Sequence, residues 1–218
     1  KTLVEKLAQP LQLDGCYIGV PPAELGRCVE IIGAARYKAE KSKPSKFAIW
    51  QQQLTEKALR LTGFEPNTAA EALIPKGMSR FYLDEAESLQ ACIPGAGGVF
   101  TARSLAKIYA ALANHGEIDG VRLLSEKTVG ELVKVHNRNR GDVVPMAMHW
   151  RLGYHRVFTT WPKTPYAFGH FGYGGSGAWA DPSRHLAVGY IVNTGSGSPF
   201  ADVRIWKINT AIIDAVGG

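Results

Sequence analysis

The stretch Phe168-Gly169-His170-Phe171-Gly172-Tyr173-Gly174-Gly175-Ser176-Gly177-Ala178-Trp179-Ala180-Asp181-Pro182 decides how the rest of the chain is read. Five of its fifteen residues are glycine, one is histidine, and it closes on an Asp-Pro turn. Glycine lets a backbone approach something closely, and so many in one short run mark a candidate site.

Two mechanisms account for the glycines. Gly172 to Gly177 satisfies G-x-G-x-x-G, but a dinucleotide fingerprint needs a following helix whose N-terminal amides hold the pyrophosphate. Here Asp181-Pro182 turns the chain instead, and His185 to Thr194 is rich in β-branched and aromatic residues. Strand, glycine turn and strand is the reading that follows. The other mechanism is acyl transfer at a strand edge, where a glycine admits the substrate carbonyl and the next peptide N–H receives the developing oxyanion.

His170-Phe171-Gly172, followed by a glycine-rich turn and Asp-Pro, resembles the third active-site motif of the serine β-lactamase-like hydrolases, in their class C β-lactamase and family VIII-type esterase branch. Three further stretches carry the resemblance. They are Thr2-Leu3 through Pro10-Leu11 and Leu13-Asp14 to Tyr17-Ile18-Gly19-Val20-Pro21; Pro94-Gly95-Ala96-Gly97-Gly98 with the Thr101 to Leu112 segment behind it; and residues 146–195. The resemblance implies that 1–218 is the C-terminal portion of a single β-lactamase-like serine hydrolase domain, of the α/β (α+β) class, with an antiparallel sheet flanked by helices. Its N-terminal part is expected to lie outside this chain, because Lys1 falls downstream of the family's first two motifs.

The same resemblance assigns roles. His170 would hydrogen-bond the serine-tyrosine network or the substrate, and the Tyr173 N–H would form one arm of the oxyanion hole. Phe171, Gly172, Gly174, Gly175, Gly97 and Gly98 would line the substrate site. The expected substrate is a small ester or amide, with the remainder of the same protein supplying the nucleophile. No cofactor is implied. Where relatives carry lysine, His170 offers a weaker positive charge, since its unperturbed pKa is about 6.5, and esters are expected over carboxylate-bearing β-lactams. A non-catalytic relative that keeps the cleft without the nucleophile is the alternative.

Ser104-Leu105-Ala106-Lys107 matches the family's S-x-x-K, and a serine and lysine one helical turn apart can share a proton. The pair sits far from the place where the family carries its nucleophile, which discounts it. No tyrosine is followed two positions on by Asn or Ser, so the family's second motif is also absent from this sequence.

Composition narrows the classes further. The net charge of +6 comes from scattered basic residues, with clusters only at 38–46 and 138–140, which read as solvated loops rather than a nucleic-acid surface. No apolar run is long enough to span a bilayer, and Lys1 opens no signal-peptide pattern. The three cysteines share no C-x-x-C spacing and the histidines no H-E-x-x-H, so no metal site is expected.

Periodicity supplies the frame. Helices are expected over Thr2–Leu11, Phe47–Leu61, Thr101 to Asn114, Ser125 to Val135 and Asp202–Val216, with Pro66–Pro75 a short helix or loop. Val29–Ala35 reads as a short strand or loop. Asp119-Gly120 centres a hairpin. Met146–Val157 reads as a strand with Trp150, Leu152 and Tyr154 on one face.

Overall fold

The computed structural model describes residues 2–32, 82–141, 143–144, 146–161, 164–194 and 203–217, with isolated helical positions between residues 50 and 72. The expected helices at Phe47–Leu61 and Pro66–Pro75 lie outside the described residues apart from those positions.

The centre is a four-stranded antiparallel sheet in the order β5-β6-β7-β8, formed by His155–Arg156, Phe168–Phe171, Gly177–Asp181 and Leu186–Tyr190. The register pairs Phe168 with Ala180 and Phe171 with Gly177, and β7 continues into β8 with Asp181 opposite Leu186. Two smaller ribbons stand beside it. Cys16–Ile18 (β1) pairs with Gly98–Phe100 (β2), and Glu117–Ile118 (β3) pairs with Val121–Arg122 (β4) around Asp119-Gly120.

Side chains alternate across the sheet, so its two faces build two cores. Phe168, Ala178 and Ala180 pack with Tyr109, Leu112 and Ala113 of helix α2 (Ala102–Ala113) and Leu132 of helix α3 (Glu126–Val133). On the other face Phe171 and Trp179 meet Ile205 and Ile213 of helix α4 (Val203–Ala215), with Val157 and Ala167 beside them. The sheet is thus covered by helices on both faces. Trp179 is fully buried, and an apolar side chain of this size stabilises the fold by roughly 2–3 kcal/mol.

Helix ends follow the expected chemistry. The Thr101 hydroxyl accepts the Ser104 N–H at 3.1 Å, and the Ser125 hydroxyl accepts the Thr128 N–H at 3.1 Å. Helix α2 ends at Asn114 with His115 and Gly116 at φ 56° and 96°. A short helix α1, Ala86–Gln90, lies in a stretch whose pattern assigned nothing. Within Val29–Ala35, Ile32 makes one parallel bridge to Thr194.

One expectation is corrected. Met146–Val157 is not a continuous strand: only His155–Arg156 pairs with β6, while Ala147 and Trp150 make isolated bridges to Arg140 and Asn137. His149 at φ 51° and Gly153 at φ 80° bend the chain twice. The alternation fails with it, since Leu152 is 51% exposed and Arg151 is buried. Arg151 is stabilised there by donating to the Val133, His149 and Pro165 carbonyls at 3.0, 3.2 and 2.9 Å.

Candidate active site

Strand β6 delivers His170 to the point where the sheet opens into a tight turn. A 3-10 turn over Tyr173–Gly175 connects β6 to β7, and Gly174 and Gly175 take φ 68° and 93°, a region that side-chain-bearing residues avoid. The turn closes through Gly172 N–H to the Ser176 carbonyl at 2.8 Å and Gly175 N–H to the Gly172 carbonyl at 3.1 Å. Ser176 Oγ then donates to the Val192 carbonyl at 3.2 Å and accepts the Val192 N–H at 3.0 Å. The loop is thus closed by its own hydrogen bonds, the arrangement a preorganised site requires.

The glycines of the run have different reasons. A Cβ on Gly169 would strike the Ala178 carbonyl and Trp179, and one on Gly177 would strike the His170 carbonyl and Phe171. Those two glycines let strands approach each other. Gly172 differs, for a Cβ there would meet only the Ser176 carbonyl, at 3.8 Å. It is the open position beside His170.

His170 is exposed as a residue, yet partial desolvation of its ring lowers its pKa below the ordinary value, so at pH 7 the imidazole is mainly neutral. The His155 ring lies 5.2 Å away, tilted by 59°. His155 is fully buried, between Trp150, Phe158 and His170. Its Nδ1 lies 2.8 Å from the Arg156 carbonyl and its Nε2 accepts the Phe171 N–H at 3.3 Å. Burial pushes its pKa down to about 4.

The remaining expected positions fall in three places. Phe171 is 3% exposed, with its ring in the core against α4 and its N–H given to His155, so the residue supports the strand from within rather than facing a substrate. Gly98 belongs to the β1–β2 ribbon, paired with Ile18, and Gly97 leads into it with its N–H donating to the Ile93 carbonyl at 2.7 Å. That ribbon is tied to helix α2 by the Thr101 N–H to the Gly15 carbonyl at 3.0 Å. Ser104 is buried, and its hydroxyl donates to the Asp14 carbonyl at 2.6 Å while receiving Thr101 Oγ1 at 3.0 Å. Lys107 is directed elsewhere and pairs with Asp119 at 2.9 Å. The two share no proton, and the S-x-x-K pattern here is a helix-start fastening.

The family model described as Beta-lactamase matches residues 1–211. The chain belongs to the beta-lactamase family. Among beta-lactamase relatives, it is 36% identical over 197 residues to the esterase/beta-lactamase LipL of Mycobacterium tuberculosis, covering 87% of this chain and 41% of LipL. Its fold matches a penicillin-binding-protein homologue from Caulobacter crescentus with a TM-score of 0.74 and 29% identity, over 98% of this chain and 52% of that one. A family VIII carboxylesterase follows with a TM-score of 0.65 and 28% identity, over 92% and 47% of the two chains. The chain thus spans about half the length of the relatives it matches. These likenesses bear out the expected fold class, an α/β arrangement of antiparallel sheets and helices, and the expected kinship with hydrolases of the esterase and penicillin-binding-protein-like kind.

Around His170, the buried His155 and, beyond it, the buried Arg151 escaped the sequence reading. Neither falls in a spaced motif, and Arg151 stands in a run that reads as an alternating strand. A signal existed in retrospect: four basic side chains, His149, Arg151, His155 and Arg156, interrupt the apolar residues of this stretch on both sides of Gly153. Among the described residues, no three His, Cys, Asp or Glu side chains gather as a metal site would require, and no helix is long and apolar enough to cross a membrane.

Proposed function

We propose that the full-length protein is a serine hydrolase that cleaves small esters or amides through an acyl-enzyme, and that this chain supplies the His-x-Gly strand and one side of the oxyanion hole. A serine outside this chain attacks the substrate carbonyl. The carbonyl lies along β6 beside Gly172, and the developing oxygen anion receives the Tyr173 N–H, held by the closed turn in which Gly174 and Gly175 set the backbone path. His170, neutral at pH 7, hydrogen-bonds the serine-tyrosine network or the substrate without presenting a fixed charge. The Gly97-Gly98 segment lines the cleft from the β1–β2 ribbon. Phe171 anchors the strand through its ring.

The observation that carries this reading is the exposed His170 standing next to the open Gly172, immediately before a hydrogen-bonded glycine turn. A neutral imidazole at this point favours short-chain esters over substrates whose recognition needs a permanent cation.

The test compares turnover of a short-chain aryl ester and a chromogenic cephalosporin by the full-length protein and its His170→Ala variant. The expected result is faster ester turnover, lost by on the order of 100-fold in the variant with little change in melting temperature. Faster cephalosporin turnover would contradict the ester preference. Absence of turnover together with absence of a fluorophosphonate adduct would establish a binding module instead.

A further inference from the structure

Strand β6 has an amide that its neighbouring strand does not serve. The β5–β6 ladder ends at His155 opposite Gly169, and continuing it would bring Tyr154 to His170 and Gly153 to Phe171. The chain leaves before that. Gly153 turns at φ 80°, and the Tyr154 carbonyl accepts the Arg151 N–H at 2.9 Å, so this backbone bonds to itself. The Phe171 N–H is left facing the place that β5 vacated, and the His155 Nε2 fills it at 3.3 Å.

An imidazole accepts at one nitrogen only when the proton sits on the other. The Arg156 carbonyl, 2.8 Å from Nδ1, can only accept, so it sets Nδ1 as the protonated nitrogen and Nε2 as the acceptor. Both bonds are satisfied by the neutral Nδ1–H tautomer alone. A protonated ring would turn Nε2 into a donor facing another donor, in a pocket that already holds Arg151 and Arg156 nearby and His170 in ring contact.

We propose that His155 is a positioning residue for the hydrolysis: as the neutral Nδ1–H tautomer it replaces the missing β5 carbonyl, pins the Phe171 amide, and so fixes the His170-to-Tyr173 segment in register for substrate. This rests on the function proposed above for that segment. The Phe171 amide lies between His170 and the oxyanion donor at Tyr173, and its ring is clamped in the core. Holding this one peptide therefore sets the direction of the groups on either side. A misplacement of about 1 Å there costs on the order of 100-fold in rate.

Two readouts on the full-length protein test it. In long-range nitrogen–proton NMR, His155 is expected to show an unprotonated Nε2 and a protonated Nδ1 throughout pH 5.5–8; a proton on Nε2 overturns the proposal, whatever the enzyme's activity. In kinetics, His155→Leu is expected to lower kcat for an aryl ester on the order of tenfold to 100-fold, with KM changed less than about threefold. His155→Gln, whose amide oxygen can accept the same N–H, should recover most of kcat and restore exchange protection of the Phe171 amide. Retention of kcat and of Phe171 amide protection in a folded His155→Leu variant would overturn the assignment. Failure of the hydrolase reading itself appears separately, as absence of both ester turnover and a fluorophosphonate adduct in the native full-length protein.

Discussion

The indole N–H of Trp179 donates to Asn209 Oδ1 at 3.0 Å, and the amide of Asn209 donates in turn to the Phe158 carbonyl at 2.9 Å. Trp179 and Asn209 are both buried, so this one side chain joins β7, helix α4 and the segment after β5 inside the apolar layer. Buried polar groups left without partners cost about 1–3 kcal/mol each. Asn209→Ala strands the indole N–H and the Phe158 carbonyl together and adds a small cavity. The expected loss is about 3 kcal/mol, seen as a lower urea midpoint at unchanged slope, or roughly 6–12 °C in melting temperature for a chain of this size. A loss below about 1 kcal/mol would mean that the network adds little to cohesion.

Ser104→Ala separates a structural serine from a nucleophilic one. The Asp14 carbonyl that loses the Ser104 hydroxyl still receives Thr101 Oγ1 at 2.8 Å, so destabilisation of about 1 kcal/mol is expected. Ester turnover and fluorophosphonate labelling of the full-length protein should be unchanged. Thr101→Ala removes both the cap of α2 and a bond to Asp14, and should cost more than Ser104→Ala. If Ser104→Ala abolished labelling, this serine would have to leave its buried bond to react.

The contrast between Ser104 and the glycine run shows what the sequence could and could not disclose. Alternation and turn chemistry are local, so strand, turn and strand at 168–190 and the helix starts at Thr101 and Ser125 were legible. The S-x-x-K match was also local, but the Asp14 carbonyl that captures Ser104 lies ninety residues earlier. Pairing of β1 with β2 brings Cys16 to Phe100, again a distant contact with no local mark. At 146–157 the pattern misled because two residues in left-handed backbone break the period that the side chains suggest. His155 became visible only once that break was known.

Gly189 offers a packing test inside the same sheet. A Cβ at this position of β8 would strike the Ala102 carbonyl and stand 2.8 Å from the Ala106 backbone nitrogen, so strand and helix α2 touch without a side chain between them. Backbone atoms at a helix start cannot move aside alone. Gly189→Ala should therefore destabilise by about 2 kcal/mol or more, the range of overpacking in a close-fitting core. Gly120→Ala is the control, for it meets open space and suffers only the cost of φ 74°, about 1 kcal/mol. Equal losses in the two variants would show that α2 can shift outward freely.

The His155 imidazole also makes a prediction about acid. Burial is the main cause of its lowered pKa, the bond to the Arg156 carbonyl opposes the shift, and His170, Arg151 and Arg156 add to it. In the unfolded chain the ring titrates near 6.5, and in the folded chain near 4. Between those values the unfolded state binds the proton and the folded state resists it, so stability is fully present above about pH 6.5 and drains away as pH falls to about 4. The separation corresponds to about 3 kcal/mol. His149 and His170 are shifted in the same direction and steepen the loss. Urea midpoints measured from pH 7.5 to 4.5 should fall for the native protein and fall less for His155→Gln, which has no proton to gain. Parallel pH profiles for the two proteins would mean that His155 takes up its proton without cost, and that the bond to the Phe171 amide is not what holds it neutral.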